Sequence, residues 1–242
     1  MPTLAPEIIF HIGNFPVTNT ILNTILVDII IIGSVLYINK KITKMIPGTF
    51  QNIIEMLVKG FYDFTDSIAG KNTNKVLPFF LTFFIFIIVA NWSGLILGNG
   101  LINFIEHDGT KIPLFRSPAS DMNFALALAL VSVIATHTLS IKTIGIKKYL
   151  SHYLSFNPLY LFVGIIDIIS EITKIISFSF RLFGNIFAGE IILSLIGLVS
   201  VFVLPAPFLV FEIFVGLLQS AVFAMLTMVF MAILMMPKHE EN

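Results

Sequence analysis

Cysteine is absent from this chain of 242 residues, so neither a disulfide nor a thiolate metal site can form. Charge is scarce too: only 12% of residues are Asp, Glu, Lys or Arg, against about 25% in an ordinary soluble domain. Fourteen basic and fourteen acidic side chains cancel, and a chain without net positive charge lacks the electrostatic footprint of a nucleic-acid binder. No P-loop, H-E-x-x-H, nucleophile elbow or redox motif occurs. The chain alone is therefore expected to catalyse no covalent chemistry and to need no cofactor or metal. Met1 to Asn19 lacks the basic stretch of a cleavable signal and carries Pro2, Pro6, Glu7 and Pro16 instead. Polar sequence is too sparse for a second, soluble domain, so residues 1–242 read as one membrane domain.

What is present is apolar: 57% of residues are hydrophobic, with a mean hydropathy of +0.96. The pattern predicts an all-α integral membrane protein with five transmembrane helices and one peripheral amphipathic helix. Residues 20–39 form a first span, since about 20 apolar residues cross ~30 Å of hydrocarbon. Residues 51–68 carry Ile53, Ile54, Leu57, Val58, Phe61 and Phe64 at helical spacing, with Glu55, Lys59, Asp63 and Asp66 between them. That is an amphipathic, interfacial helix. Further spans are read at 77–97, with Pro78 in its first turn, and at 124–139, capped by Ser120-Asp121. The last two, 160–199 and 208–236, are joined by a turn at Pro205 and Pro207. No proline interrupts residues 159–204, and a helix of that length exceeds the hydrocarbon thickness and must tilt. The final pair is thus expected to be a long tilted hairpin.

Lys40, Lys41 and Lys44 follow the first span, and Lys142, Lys147 and Lys148 follow the third. By the positive-inside rule both ends are cytoplasmic. This places the N-terminus outside, the 98–120 loop with Glu106, His107 and Asp108 outside, and the polar C-terminus from Pro237 in the cytoplasm.

Arg181 stands in the middle of the fourth span. A guanidinium at bilayer depth costs somewhere between ~3 and ~17 kcal/mol, and it cannot escape by losing its proton. One reading is an arginine snorkelling to a headgroup, although no helix end is evident near it. At 100° per residue, Asp167 and Asn185 lie about 40° from Arg181, Lys174 about 20°, Ser170 about −20° and Ser177 about −40°. Phe180, Phe183 and Phe187 lie on other sides, and Glu190 falls opposite. An aligned polar strip in a membrane marks a surface facing water or a partner. On the returning helix Glu212, Gly216 and Gln219 share a face. Glu190 and Glu212 flank the proline turn at similar distances, so a hairpin brings them to similar depth. Two carboxylates close together in a low-dielectric site do not both ionise easily, which suits groups that take and release protons. Each glutamate by itself is equally compatible with a satisfied polar residue at a loop-proximal interface.

Ser177-Phe-Ser-Phe-Arg-Leu-Phe-Gly-Asn-Ile-Phe-Ala-Gly-Glu190 closely resembles the signature of subunit a of F-type ATP synthases, S-L-x-L-R-L-F-G-N-x-x-A-G-E. Pro47-Gly-Thr-Phe-Gln-Asn-Ile-Ile-Glu55, Asn91-Trp-Ser-Gly94 and Ser117-Pro-Ala-Ser-Asp-Met-Asn123 are similar to further segments of that family. The resemblance covers almost the whole chain. It implies a stator subunit facing a rotating ring of c subunits, held by peripheral-stalk b subunits and other ATP synthase subunits amid membrane lipid. Protons would reach and leave the c-ring through two aqueous half-channels. Arg181 would match the arginine that attracts the deprotonated ring carboxylate. Asn185, Glu190, Glu212 and Gln219 match polar positions of the outer half-channel, and Asp167, Lys174 and Ser177 those of the cytoplasmic one. In some members a histidine occupies the position of Glu212. Here no histidine lies between His152 and His239, so the relay is expected to use carboxylate and water, with His137 a packed or interfacial residue. A compact, cysteine-free chain without a transit peptide suggests a bacterial inner membrane, with an organelle inner membrane as the alternative. A stand-alone transporter with an intramembrane ion pair would predict internal repeats, and none is seen. A purely structural subunit leaves Arg181 without a purpose.

Overall fold

The chain is described by a computed structural model covering residues 5–42, 48–98, 103–105, 111–153, 158–199 and 205–236. Helix dominates, and five helical stretches are long and apolar enough to cross a membrane. In chain order the elements are β1 (Ile8–Ile12), β2 (Phe15–Thr18), α1 (Asn19–Lys41), α2 (Thr49–Ala69), α3 (Thr73–Leu97), β3 (Asn103–Ile105), β4 (Lys111–Pro113), α4 (Met122–Ile144), α5 (Ile146–Tyr153), α6 (Pro158–Val199) and α7 (Pro205–Leu234). Two short antiparallel hairpins, β1–β2 and β3–β4, and the helix α5 were not anticipated from the sequence.

α1 starts where the Thr18 side chain accepts from the Ile21 amide and ends on Lys40 and Lys41, whose charge favours the negative end of a helix. Its polar first turns are buried. Thr20 donates to Asp121 at 3.2 Å and Asn23 to the Arg116 carbonyl at 2.9 Å, fastening α1 to the segment that precedes α4. Further along, Ile29, Ile32, Val35 and Leu36 are exposed, as expected of a surface that meets lipid.

α2 ends at Gly70, whose φ of +50° breaks the helix. Thr73 then donates to Asp66 at 2.8 Å as the chain turns into α3. That helix begins at Thr73, so Pro78 lies inside it rather than in its first turn, and one backbone hydrogen bond is forgone there. α4 is capped by Asp121, which accepts from the Asn123 amide at 2.9 Å. Pro205 and Pro207 both belong to the first turn of α7, where a missing N–H is harmless. The connection from α6 therefore lies at 200–204, outside the described residues, as do Pro47, Glu106, His107, Asp108 and the C-terminal tail.

α3, α4, α6 and α7 enclose the core. Phe178 of α6 and Phe83 of α3 pack on Phe223 of α7, with ring centres 5.0 and 5.7 Å away. α3 and α7 approach closely at Gly216, where an added Cβ would lie 3.2 Å from the Asn91 Cβ. Asn91 donates to the Gly216 carbonyl and Trp92 to that of Ile213, each at 3.1 Å. These are intrahelical carbonyls, so the two side chains lock the register of α3 against α7.

Candidate functional site

α6 runs 42 residues, about 63 Å at 1.5 Å per residue and roughly twice the hydrocarbon thickness. Much of one side is unpacked and apolar: Ile169, Ile172, Ile176 and Phe180 are all exposed. Arg181 is exposed too, on a different side of the helix. Its Nη2 donates to Ser177 at 3.3 Å, a turn earlier. No carboxylate among the described residues pairs with it. The strip read from helical spacing is exposed at Arg181, whereas Lys174 and Asn185 on it turn towards α7.

Beyond Arg181 the polar residues are joined across the hairpin. Asn185 donates to Gln219 at 2.7 Å, tying α6 to α7 one turn from the arginine. Gln219 itself is buried. Two turns earlier on α7, Glu212 is 4% exposed. Its carboxylate lies against Gly189: a Cβ added there would come within 2.6 Å of Glu212 Oε1. The glycine of the Ala188-Gly189-Glu190 run is therefore the gap into which the α7 carboxylate fits. One oxygen of Glu212 has no hydrogen-bond partner among the described residues. A cavity of about 270 Å³ opens at this level between α6 and α7. Asn185 and Glu212 supply its polar groups, and Ile192, Leu193, Phe208 and Phe211 its apolar walls. It has room for several waters.

Glu190 points away from this cavity towards a partner that the sequence did not reveal. Arg116, from the segment before α4, meets Glu190 Oε2 with Nε and Nη2, each at 3.0 Å. Ser120 donates to the other oxygen at 3.1 Å. Arg116 also donates to the Ala5 carbonyl at 3.3 Å, and the Phe187 ring lies 5.8 Å from its guanidinium. Nε makes the hydrogen bond, while Nη2 stands beside the same oxygen as an ion pair without one, a combination open to a guanidinium. A signal existed: arginine occurs in this chain only at 116 and 181, every other basic residue being lysine.

Towards the opposite end of α6, Lys174 is not a free cation on the strip. It donates to Glu171 at 2.7 Å and sits 4.0 Å from the centre of the Phe230 ring on α7. Asp167 lies about two turns before Lys174 and is half-buried. Glu171 also faces His137 of α4, with 3.5 Å between Oε2 and Nε2, and His137 Nδ1 is 2.7 Å from the Tyr149 hydroxyl of α5. Neither Glu171 nor Tyr149 stood out in the sequence, because their partners come from other helices.

The candidate residues thus fall into three groups along α6. Asp167, Glu171 and Lys174 occupy one end, with His137 and Tyr149 beside the last two. Ser177, Arg181, Asn185 and Gln219 form the middle. Glu190 and Glu212 lie at the other end, one clamped by Arg116 and the other facing a cavity. Among the described residues no cluster of histidine and carboxylate side chains suited to a metal ion occurs.

Comparison with known proteins is consistent over nearly the whole length. The family model described as ATP synthase A chain matches residues 21–232. The chain is 29% identical to ATP synthase subunit a of Moorella thermoacetica over 232 residues, spanning 96% of this chain and 97% of that protein. To ATP synthase subunit a of Mycobacterium bovis it is 33% identical, over 88% of this chain and 85% of the relative. The protein of that name from Legionella pneumophila is 28% identical over 92% of this chain and 89% of its own length.

Proposed function

Since this chain belongs to the ATP synthase A chain family, we propose that it is the stator subunit through which protons reach and leave the c-ring. It is a multi-pass membrane protein of the synthase's membrane sector, and the peripheral-stalk b subunits and other synthase subunits would hold it against rotation. The observation that carries the reading is Arg181, exposed on the polar strip of an otherwise apolar helix without a carboxylate partner among the described residues. A fixed cation on such a face suits a partner that brings a carboxylate within the membrane. The embedded carboxylate of each c subunit is such a group. On passing Arg181 it is drawn into its ionised form and releases its proton. The same charge blocks direct leakage between the two access routes.

The outer route would run by the cavity at Glu212, along Asn185 and Gln219, with Glu190 at its margin. Glu212 has the attributes of a carrier: a buried carboxylate oxygen without a partner, on the wall of a space large enough for water. The cytoplasmic route would follow Asp167, Lys174 and Ser177. The basic residues after α1 and α4 support a cytoplasmic position for those ends and an outer position for the N-terminus, in a bacterial inner membrane.

The test is ATP-driven proton pumping by vesicles carrying the assembled complex with Arg181→Ala. Loss of pumping with assembly intact is the expected result. Undiminished pumping would sink the ring-facing role of Arg181.

A further inference from the structure

His137, Glu171, Lys174 and Tyr149 form a connected polar group drawn from α4, α5 and α6. His137, Glu171 and Lys174 have side chains that are only 23%, 15% and 20% exposed. In a chain with so few charges, three titratable groups beside a tyrosine hydroxyl are a conspicuous outlay of polarity within apolar helices. A latch between helices could be built from one hydroxyl pair, as Ser132 and Thr227 do at 2.8 Å between α4 and α7. The imidazole adds a capacity that such a pair lacks, since a proton can join one ring nitrogen while another leaves the second.

The arrangement is ordered for that use. In the tautomer with its hydrogen on Nε2, His137 accepts from Tyr149 at Nδ1 and presents Nε2 to Glu171. Glu171 bonds Lys174, which lies on the Arg181 strip about 10 Å before the arginine along the helix. At the other end Tyr149 belongs to α5, an amphipathic helix whose Lys147 and Lys148 are exposed. The group therefore leads from the basic surface after α4 to the polar strip of α6. The charged groups around the imidazole are Glu171 and Lys174 from α6, with Asp167 a turn before Glu171. Tyr149 faces it from α5, while α7 supplies only the Phe230 ring over Lys174. Lys142 follows on α4 itself, and Lys75 of α3 reaches Thr143 at 3.3 Å near that end.

We propose that His137 is a proton-transfer residue of the cytoplasmic route, exchanging protons between the α5 side and Glu171. During pumping an N–H bond forms at Nδ1 with a proton arriving past Tyr149, and the N–H bond at Nε2 breaks as its proton passes to the Glu171 carboxylate. The ring ends neutral with its hydrogen on Nδ1, Glu171 yields the proton to water along the strip, and exchange with that water returns the ring hydrogen to Nε2 before the next transfer. Synthesis runs the same steps in reverse. This inference rests on the reading of α6 as the wall of the cytoplasmic route.

Inverted vesicles carrying the complete synthase expose the cytoplasmic face, so pumping can be measured while small bases are added there. His137→Ala and His137→Gln are each expected to lower pumping roughly a hundredfold, the lower end of the range for a lost proton-transfer group. Glu171→Gln should do the same, and Tyr149→Phe should have a smaller effect. Imidazole and its C-methylated derivatives should restore pumping to His137→Ala in the order of their basicity, and N-methylimidazole, with one nitrogen blocked, should restore it less. Equal restoration by a non-basic ring of the same size would reduce His137 to a space-filling role and overturn the proposal. Unchanged pumping by an assembled His137→Gln complex would overturn it too, and that variant decides the matter if His137→Ala does not assemble. Arg181→Ala is measured in parallel. If it pumps normally, the stator reading itself fails; if it is inactive while His137→Gln is unaffected, only the inference about His137 fails.

Discussion

Arg116 is buried and Glu190 half-buried, and each is the other's charge partner. Removing one partner of such a pair leaves an uncompensated charge and costs about 3–5 kcal/mol, whereas replacing both by neutral groups is far milder. Arg116→Ala should therefore destabilise the subunit strongly, and Arg116→Gln with Glu190→Gln should recover much of the loss. Thermal retention of the subunit in the solubilised complex measures both. Glu212 differs at the same scale. Among the described residues no cation pairs with it as Arg116 pairs with Glu190, and it borders the cavity. Glu212→Gln keeps the shape and removes the titratable oxygen. It is expected to lower proton pumping by roughly a hundredfold while leaving assembly intact; wild-type pumping would remove Glu212 from the outer route.

At the scale of elements, the close approaches are set by glycine. Gly94 of α3 faces the chain before α4 so tightly that a Cβ would lie 2.5 Å from the Ser117 Cα. Backbone cannot step aside as a side-chain tip can, so Gly94→Ala should cost about 1–3 kcal/mol or prevent assembly. At Gly189 the obstacle is the Glu212 carboxylate, which can swing away. Gly189→Ala should leave the subunit assembled and impair transport, a split visible by comparing complex yield with pumping rate. The contrast also explains how far the sequence could be read. The strip around Arg181 follows from a single helical period, and the pairing of Asn185 with Gln219 follows once α6 and α7 are antiparallel neighbours. Arg116 lies in a segment without periodicity, and nothing local announces that it reaches a glutamate on α6. Glu171 sits about 80° from Arg181 around the helix, off the strip and towards α4. Its significance appears only when α4 and α5 are in place. The hairpin Ile8–Thr18 escaped for another reason: its strands are short, and a proline such as Pro16 is unusual within a strand.

For the whole molecule, orientation is the quantity the basic residues govern. Because the chain has no cysteine, single reporters can be placed in it without removing any native thiol. An impermeant maleimide added to inverted vesicles should label Lys147→Cys on α5 and spare Asn14→Cys in the β1–β2 turn. The reverse pattern would invert the assigned topology. Both positions are exposed, so a lack of labelling reports sidedness rather than burial.

The length of α6 has a mechanical meaning. Its apolar portion, Phe162–Leu198, has 37 residues, about 55 Å of helix to be kept within ~30 Å of hydrocarbon. Such a helix lies closer to the membrane plane than to its normal. A step along it moves further sideways than inwards. Asp167 and Glu190 are about six turns apart, so their separation along the plane would be near 30 Å and their difference in depth under 20 Å. The two ends of the polar track would be staggered rather than stacked. A voltage pressing ions straight through the bilayer would then reach a carrier moving past α6 largely as a tangential push, and a tangential push on a ring is torque.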